Sequence, residues 1–141
     1  MGTFVVYSVY LHPSEGLSHR NGDVLAHIVT DITTHQLPFI LGGDWNMPPQ
    51  LLAQAPWGAD KATIVSIHEP TFTQRDTQST LDYFVLSNPF ACTIQDVLLH
   101  HEVLPKGHIP VSVTLSGVLT QEATLPTLQA YQRIPTAKPF G

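Results

Sequence analysis

Apolar residues along the chain follow two periods. Phe4 to Leu11 (Phe-Val-Val-Tyr-Ser-Val-Tyr-Leu) is β-branched and aromatic and stops at His12-Pro13, which predicts a buried strand. Its place at the start of the sequence leaves sequence on one side only to supply its neighbours. Between Asn21 and Gln36, the residues Val24, Leu25, Ile28, Val29 and Ile32 recur on one face of a 3.6-residue period and predict an amphipathic helix. Asn21 or Asp23 suits its first turn as a cap, and Pro38 ends it. Phe39-Ile40-Leu41 then predicts a short strand that feeds a turn at Gly42-Gly43-Asp44. Strand, helix and strand in this order suggest a βαβ unit.

Beyond Pro48-Pro49 the pattern weakens. A short helix or loop to about Gly58 is followed by a weak strand at Thr63–Ile67, another at Thr71–Thr73, and a polar loop over Arg75–Ser79. Leu81 to Leu86 predicts a strand closed by Ser87-Asn88-Pro89, and Thr93–Leu99 and Pro110–Leu115 predict two more. From Gly117 to Gly141 the chain is rich in Thr, Gln and Pro without period, so an irregular tail is expected.

Composition narrows the possibilities. The chain has 141 residues, enough for one ordinary domain, with 43% hydrophobic and 12% charged residues, a balance that excludes disorder over most of it. Prolines, histidines and acids interrupt every apolar run, so none approaches the roughly 18 to 20 residues of a helical membrane span. Six Lys and Arg against eleven Asp and Glu give a charge of −5, so any nucleic-acid contact has to be local rather than a basic footprint of the whole chain. A single cysteine, Cys92, excludes an internal disulfide framework and is expected to be a buried, inert thiol. The first residues lack a basic secretory n-region, and Val6 stands where myristoylation requires Ser or Thr, so the protein is expected to be intracellular.

Candidate chemistry gathers at a few positions. In Ile40-Leu-Gly-Gly-Asp44-Trp45-Asn46, residues two apart on an extended strand project to the same side, so Asp44 and Asn46 would emerge together at a strand's carboxyl end. A carboxylate that polarises water beside a carboxamide that donates to a phosphate oxygen is one use of the pair; an Asx turn into Pro48-Pro49 is the other. The two glycines allow close backbone approach. His12, at a strand end, can give a proton to a leaving oxygen or simply occupy a turn. Asp82 sits inside an apolar strand and needs a partner, for which His108 is the obvious candidate, in a catalytic or a structural pair. His19, His68-Glu69 and His100-His101-Glu102 lack zinc-site spacing. Trp57, Phe72, Tyr83 and Phe84 lack interleaved Arg and Lys and suit a core better than a base-stacking platform.

Taken in order, the strand ending Val9-Tyr-Leu-His12, the amphipathic helix, Leu41-Gly-Gly-Asp-Trp-Asn46, Thr71-Phe-Thr73, Leu81-Asp-Tyr-Phe-Val-Leu-Ser87 and Gly107-His-Ile-Pro-Val111 resemble the endonuclease/exonuclease/phosphatase family. That family includes pancreatic deoxyribonuclease, abasic-site endonucleases, inositol phosphatases and the endonucleases of non-LTR retrotransposons, and several members of the retrotransposon type read much like this chain through Leu-Asp-Tyr-Phe and His-x-Pro-Val. The resemblance covers about residues 4 to 115. It implies an α/β (α+β) fold: half of a four-layer α/β/β/α sandwich, mainly one mixed β-sheet with a helix on its outer face. This partial domain would occupy residues 1–117, with the irregular tail over 118–141.

The resemblance also implies roles. Asp44 would orient or deprotonate the attacking water and Asn46 would stabilise the pentacovalent phosphate. His108 would be the terminal catalytic histidine, with Asp82 holding its imidazole, and His12 would assist the leaving group. The implied activity is a Mg²⁺-dependent (or Mn²⁺-dependent) phosphodiester or phosphate-ester hydrolase of endonuclease type, acting on nucleic acid or another phosphodiester. A remnant or binding module of the same fold without turnover is the competing reading. Two departures favour the latter: Lys106-Gly107 stand where the family reads Ser-Asp before the histidine, and the family's metal-binding Asn and Glu belong to an amino-terminal half that these residues do not include. Half a sandwich would also bare an apolar sheet face, which self-association or the other half would have to cover.

Overall fold

A computed structural model describes residues 3–55, 62–102 and 107–116. Trp57, Lys106 and the expected tail from 117 onward lie outside the described residues.

The described elements run β1 (Val5–Tyr10), α1 (His19–His35), β2 (Phe39–Asp44), α2 (Pro49–Leu52), β3 (Ala62–Val65), β4 (Phe72–Gln74), β5 (Thr77–Ser79), β6 (Asp82–Ser87), α3 (Asn88–Ala91), β7 (Ile94–Leu99) and β8 (Val111–Leu115). A mixed sheet in the order β1-β2-β6-β3 forms the centre, with β1 parallel to β2 and the other neighbours antiparallel. β4-β5 and β7-β8 are two-stranded antiparallel sheets. The βαβ unit is therefore present, and the α+β class with a mixed sheet is the one observed.

Alternation along β2 and β6 explains how the sheet is covered. Phe39, Leu41, Tyr83 and Val85 pack toward α1, joined by Val24, Leu25, Ile28 and Ile32 from the helix. Ile40, Phe84 and Leu86 point the other way and pack under Val111, Val113 and Leu115 of β8 and Ile94 and Val97 of β7. The sheet face expected to be bare is thus covered in large part by β7-β8. Among the described residues, Tyr10, Leu17 and Leu98 are the large apolar side chains left exposed.

Several local expectations need correcting. β1 is the edge strand of the described sheet, and only Val9 along it is buried. The helix starts earlier than its apolar stripe, because Ser18 is the N-cap and accepts the Asn21 N–H at 3.2 Å. Neither Asn21 nor Asp23 caps it; the polar turn His19–Asp23 is helical without contributing to the stripe. The glycines belong to β2 rather than to a turn. Gly43, at φ +152°, lies opposite Val9 so closely that a Cβ would sit 1.9 Å from the Val9 carbonyl oxygen. The polar loop over Arg75–Ser79 contains strand β5, which returns on β4 through Arg75 at φ +54°; hairpin pairing, not hydrophobicity, makes it a strand. Cys92 is exposed, since it closes the short helix α3 at the surface.

β1 and α1 are also joined by a polar bond, the Tyr7 hydroxyl donating to Asp31 Oδ2 at 2.5 Å. Burial first, and then Asp31 through its hydrogen bond and charge, push the phenol up to about 12. A raised phenol pKa means that the fold favours the neutral form. The contribution is present below the ordinary value near 10 and is lost as pH rises from there through about 12. Tyr7→Phe is expected to lower stability by about 1 kcal/mol at neutral pH. In urea unfolding, its gap from wild type should close across that alkaline window; a gap independent of pH would contradict the assignment.

Candidate active site

Three side chains converge where β2, β6 and the approach to β8 meet. Asp44 ends β2, Asp82 begins β6, and the two are register partners on neighbouring antiparallel strands. Their alternation phase matches Ile40, Phe84 and Leu86, so both carboxylates belong to the sheet face that β8 covers. Like charges placed opposite one another across a strand pair repel. His108, three residues before β8, sits between them. Its Nδ1 lies 2.9 Å from Asp82 Oδ2, and its Nε2 lies 3.6 Å from Asp44 Oδ2.

The local chain dictates this placement. Phe72 and His108 form an isolated β-bridge, with the Thr73 N–H donating to the Gly107 carbonyl and the Ile109 N–H to the Thr71 carbonyl. Gly107 takes φ +87°, and a Cβ there would lie 2.9 Å from the Phe72 ring. That ring packs on the imidazole with centroids 4.6 Å apart. Any side chain at position 107 would have to displace Phe72, so a carboxylate is not accommodated there.

Thr71 completes the support for Asp82, a role that its place in the Thr71-Phe-Thr73 motif did not disclose. It is fully buried, its Oγ1 donates to Asp82 Oδ2 at 2.8 Å, and the same oxygen accepts the Leu81 and Asp82 N–H groups. A threonine in Pro-Thr-Phe-Thr carries no signal of this kind before the chain is folded. Tyr10 was missed too. It is the register partner of Asp44 on β1 and in the alternation phase of Val6, so Tyr10, Asp44 and Asp82 form one row across three strands, with Tyr10 exposed at 40%. An exposed tyrosine at the carboxyl end of a parallel strand was the available signal.

Behind the row, Trp45 is buried and breaks away from the site. Its indole N–H donates to the Tyr83 carbonyl at 2.9 Å, and its ring stacks on Tyr83 at 5.6 Å. The Tyr83 hydroxyl donates to the Met47 carbonyl at 2.8 Å. Burial pushes this phenol up, with Asp44 and Asp82 adding to the shift, so it stays a neutral donor that locks the segment after Asp44. Of the aromatic group read as core, Tyr83 and Phe84 are buried on opposite sheet faces, while Phe72 belongs to the site.

Asn46 and His12 stand differently from Asp44. The strand period ends at Asp44, and Asn46 adopts φ +51°. Its N–H donates to Asp44 Oδ1 at 3.0 Å, an Asx turn, and its Nδ2 donates to the Leu11 carbonyl at 2.6 Å. Asn46 thus ties the end of β1 to Asp44. His12 follows directly, half-buried, with its backbone held by Asn21, and is not a member of the Asp44–Asp82–His108 cluster.

No protein-family model and no curated protein matches the sequence. Among solved structures the chain is similar to the endonuclease domain of TRAS1, a telomere-specific non-LTR retrotransposon, at TM-score 0.59 and 15% identity over 82% of this chain and 56% of that one. It is also similar to CdtB, the biologically active subunit of cytolethal distending toxin, at TM-score 0.57 and 19% identity over 78% of this chain and 47% of that one. The fold is the deoxyribonuclease-like fold of these neighbours. The chain spans about half the length of these neighbours.

The fold family implies a divalent metal, and Asp44, Asp82 and His108 offer ligand atoms all within 4.8 Å of one another. As hydrogen-bonded, they do not fit Mg²⁺ or Mn²⁺ as a resident site. Such hard cations seek oxygen ligands, whereas one of the three donors is an imidazole, and Asp82 Oδ2 already accepts from both His108 and Thr71. The trio suits proton handling instead.

Proposed function

We propose that this chain carries the histidine-bearing part of a phosphodiester hydrolase of endonuclease type, with nucleic acid as substrate. The observation that carries this reading is the bridging imidazole, 2.9 Å from Asp82 and 3.6 Å from Asp44. Asp82 as acceptor selects the tautomer with the proton on Nδ1, which leaves Nε2 to receive one. A water between Nε2 and Asp44 Oδ2 gives up its proton as its oxygen attacks phosphorus. The P–O bond to the leaving alkoxide breaks, and that oxygen is protonated by His12. Asn46 has a second amide hydrogen for a phosphate oxygen.

The test is nicking of supercoiled plasmid by the purified chain with Mg²⁺ or with Mn²⁺. Expected are open circles that EDTA prevents and that Asp44→Ala reduces by about 10²- to 10⁴-fold. Nicking unaffected by Asp44→Ala would overturn the reading.

A binding module without turnover is the second reading, favoured by Gly107, where the Phe72 ring leaves no room for an acidic side chain beside His108. Its signature is duplex retention by the wild-type chain with no nicking under either cation.

A further inference from the structure

Both backbone polar groups of His12 are held by a single side chain. Asn21 is fully buried in the first turns of α1. Its Oδ1 accepts the His12 N–H at 2.8 Å, and its Nδ2 donates to the carbonyls of His12 at 3.1 Å and Gly16 at 2.8 Å. One residue earlier, the Leu11 N–H donates to the Asp44 carbonyl at 3.1 Å, and the Leu11 carbonyl accepts from Asn46. Asp44 and Asn46 therefore hold residue 11, and Asn21 holds residue 12.

The loop between β1 and α1 has a separate brace. Glu15 accepts from the Ser18 hydroxyl at 2.8 Å and from the Arg20 guanidinium, and Arg20 first and Ser18 second hold its carboxyl down to about 2. Ser14 and Gly16 take φ +64° and +54° to make the turn itself. With the turn and the helix start already fastened, a buried amide aimed at both polar groups of His12 goes beyond what the chain path requires. An amide buried this deeply carries a desolvation cost, and two of the three bonds that offset it are to the backbone of His12.

We propose that Asn21 is a positioning residue for His12, fixing the backbone that aims its ring from the carboxyl end of β1. The proposal rests on the hydrolase reading for its effect on rate, but not for its effect on the ring. Asn21→Asp keeps the acceptor and the size and removes both donated hydrogen bonds.

The experiment is a double-mutant cycle of Asn21→Asp and His12→Ala on plasmid nicking, together with ¹³C relaxation of the His12 ring in the intact chain. Asn21→Asp is expected to lower kcat by about tenfold to a hundredfold with KM within about twofold, and to cost nothing further once His12 is Ala. Losses that multiply would mean that Asn21 acts on stability alone and would overturn the proposal. In the relaxation arm, the His12 ring should gain freedom in Asn21→Asp while the His100 ring does not change; an unchanged His12 ring overturns it. Should the wild-type chain not hydrolyse, the hydrolase reading fails and the ring measurement alone decides the positioning. Should Asn21→Asp not fold, judged by its melting curve, the uncharged Asn21→Ser takes its place in both arms.

Discussion

His108→Ala is expected to lower phosphodiester hydrolysis by about 10²- to 10⁴-fold while leaving the protein folded. The imidazole is 38% exposed and contributes little to either hydrophobic cluster, so its removal forms no core cavity. What it removes is the one base between the two carboxylates. Asp82→Asn should fall between wild type and His108→Ala. A carboxamide can turn its NH₂ toward Nδ1 and drive the ring proton onto Nε2, which then cannot accept the proton of the attacking water. Thr71→Val should act in the same direction by freeing Asp82 from its buried donor, and it should also lower Tm because the Leu81 and Asp82 N–H groups lose their acceptor. Kinetics and melting curves on the same preparations separate the two effects. His108→Ala within about twofold of wild type would contradict the assigned role.

Gly43→Ala is expected to be strongly destabilising. Its Cβ would lie 1.9 Å from the Val9 carbonyl oxygen and 2.8 Å from two further backbone atoms, none of which can rotate away. The conformation, φ +152°, is one that side chains rarely adopt. Strain and overpacking together should cost about 2 to 5 kcal/mol, as β1 is pushed off β2. Asp44 follows Gly43 directly, so hydrolysis should fall with stability. Gly22→Ala is the contrast, because nothing lies within 4 Å of its added Cβ and the position is helical. It should gain about 0.5 to 1 kcal/mol. Urea midpoints for both variants check the pair of signs; Gly43→Ala as stable as wild type would refute the close approach of β1 and β2.

Much of this fold was legible because burial and period agree. The stripe Val24–Ile32 could face only an apolar sheet, and the runs Phe39–Leu41 and Tyr83–Leu86, apolar at consecutive positions, fit strands covered on both sides. The β4-β5 hairpin was not legible, since Thr77–Ser79 is held by pairing and carries no apolar alternation. The cover given by β7-β8 was also missed: Ile94 and Val97 are spaced by three and read poorly as one face of a strand, and a register shift between Ile94 and Asp96 is the reason.

In the candidate site, Asp82 announced itself as a carboxylate in an apolar strand that needed a partner. Asp44 and Asn46 were found through their glycines, but the two-residue period failed after Asp44, where an Asx turn replaces the strand. Thr71 and Asn21 were invisible in their roles because each acts through hydrogen bonds to backbone distant in sequence or hidden under a helix start.

The central claim is that Asp44 and His108 work on the same water as one unit. Its most direct test is the cycle of Asp44→Ala, His108→Ala and the double variant, read as initial rates of plasmid nicking. Groups acting as a unit lose their effect together, so the double variant should be no slower than about threefold below the worse single one. Losses that multiply across the cycle, or a single variant that nicks at the wild-type rate, would contradict it.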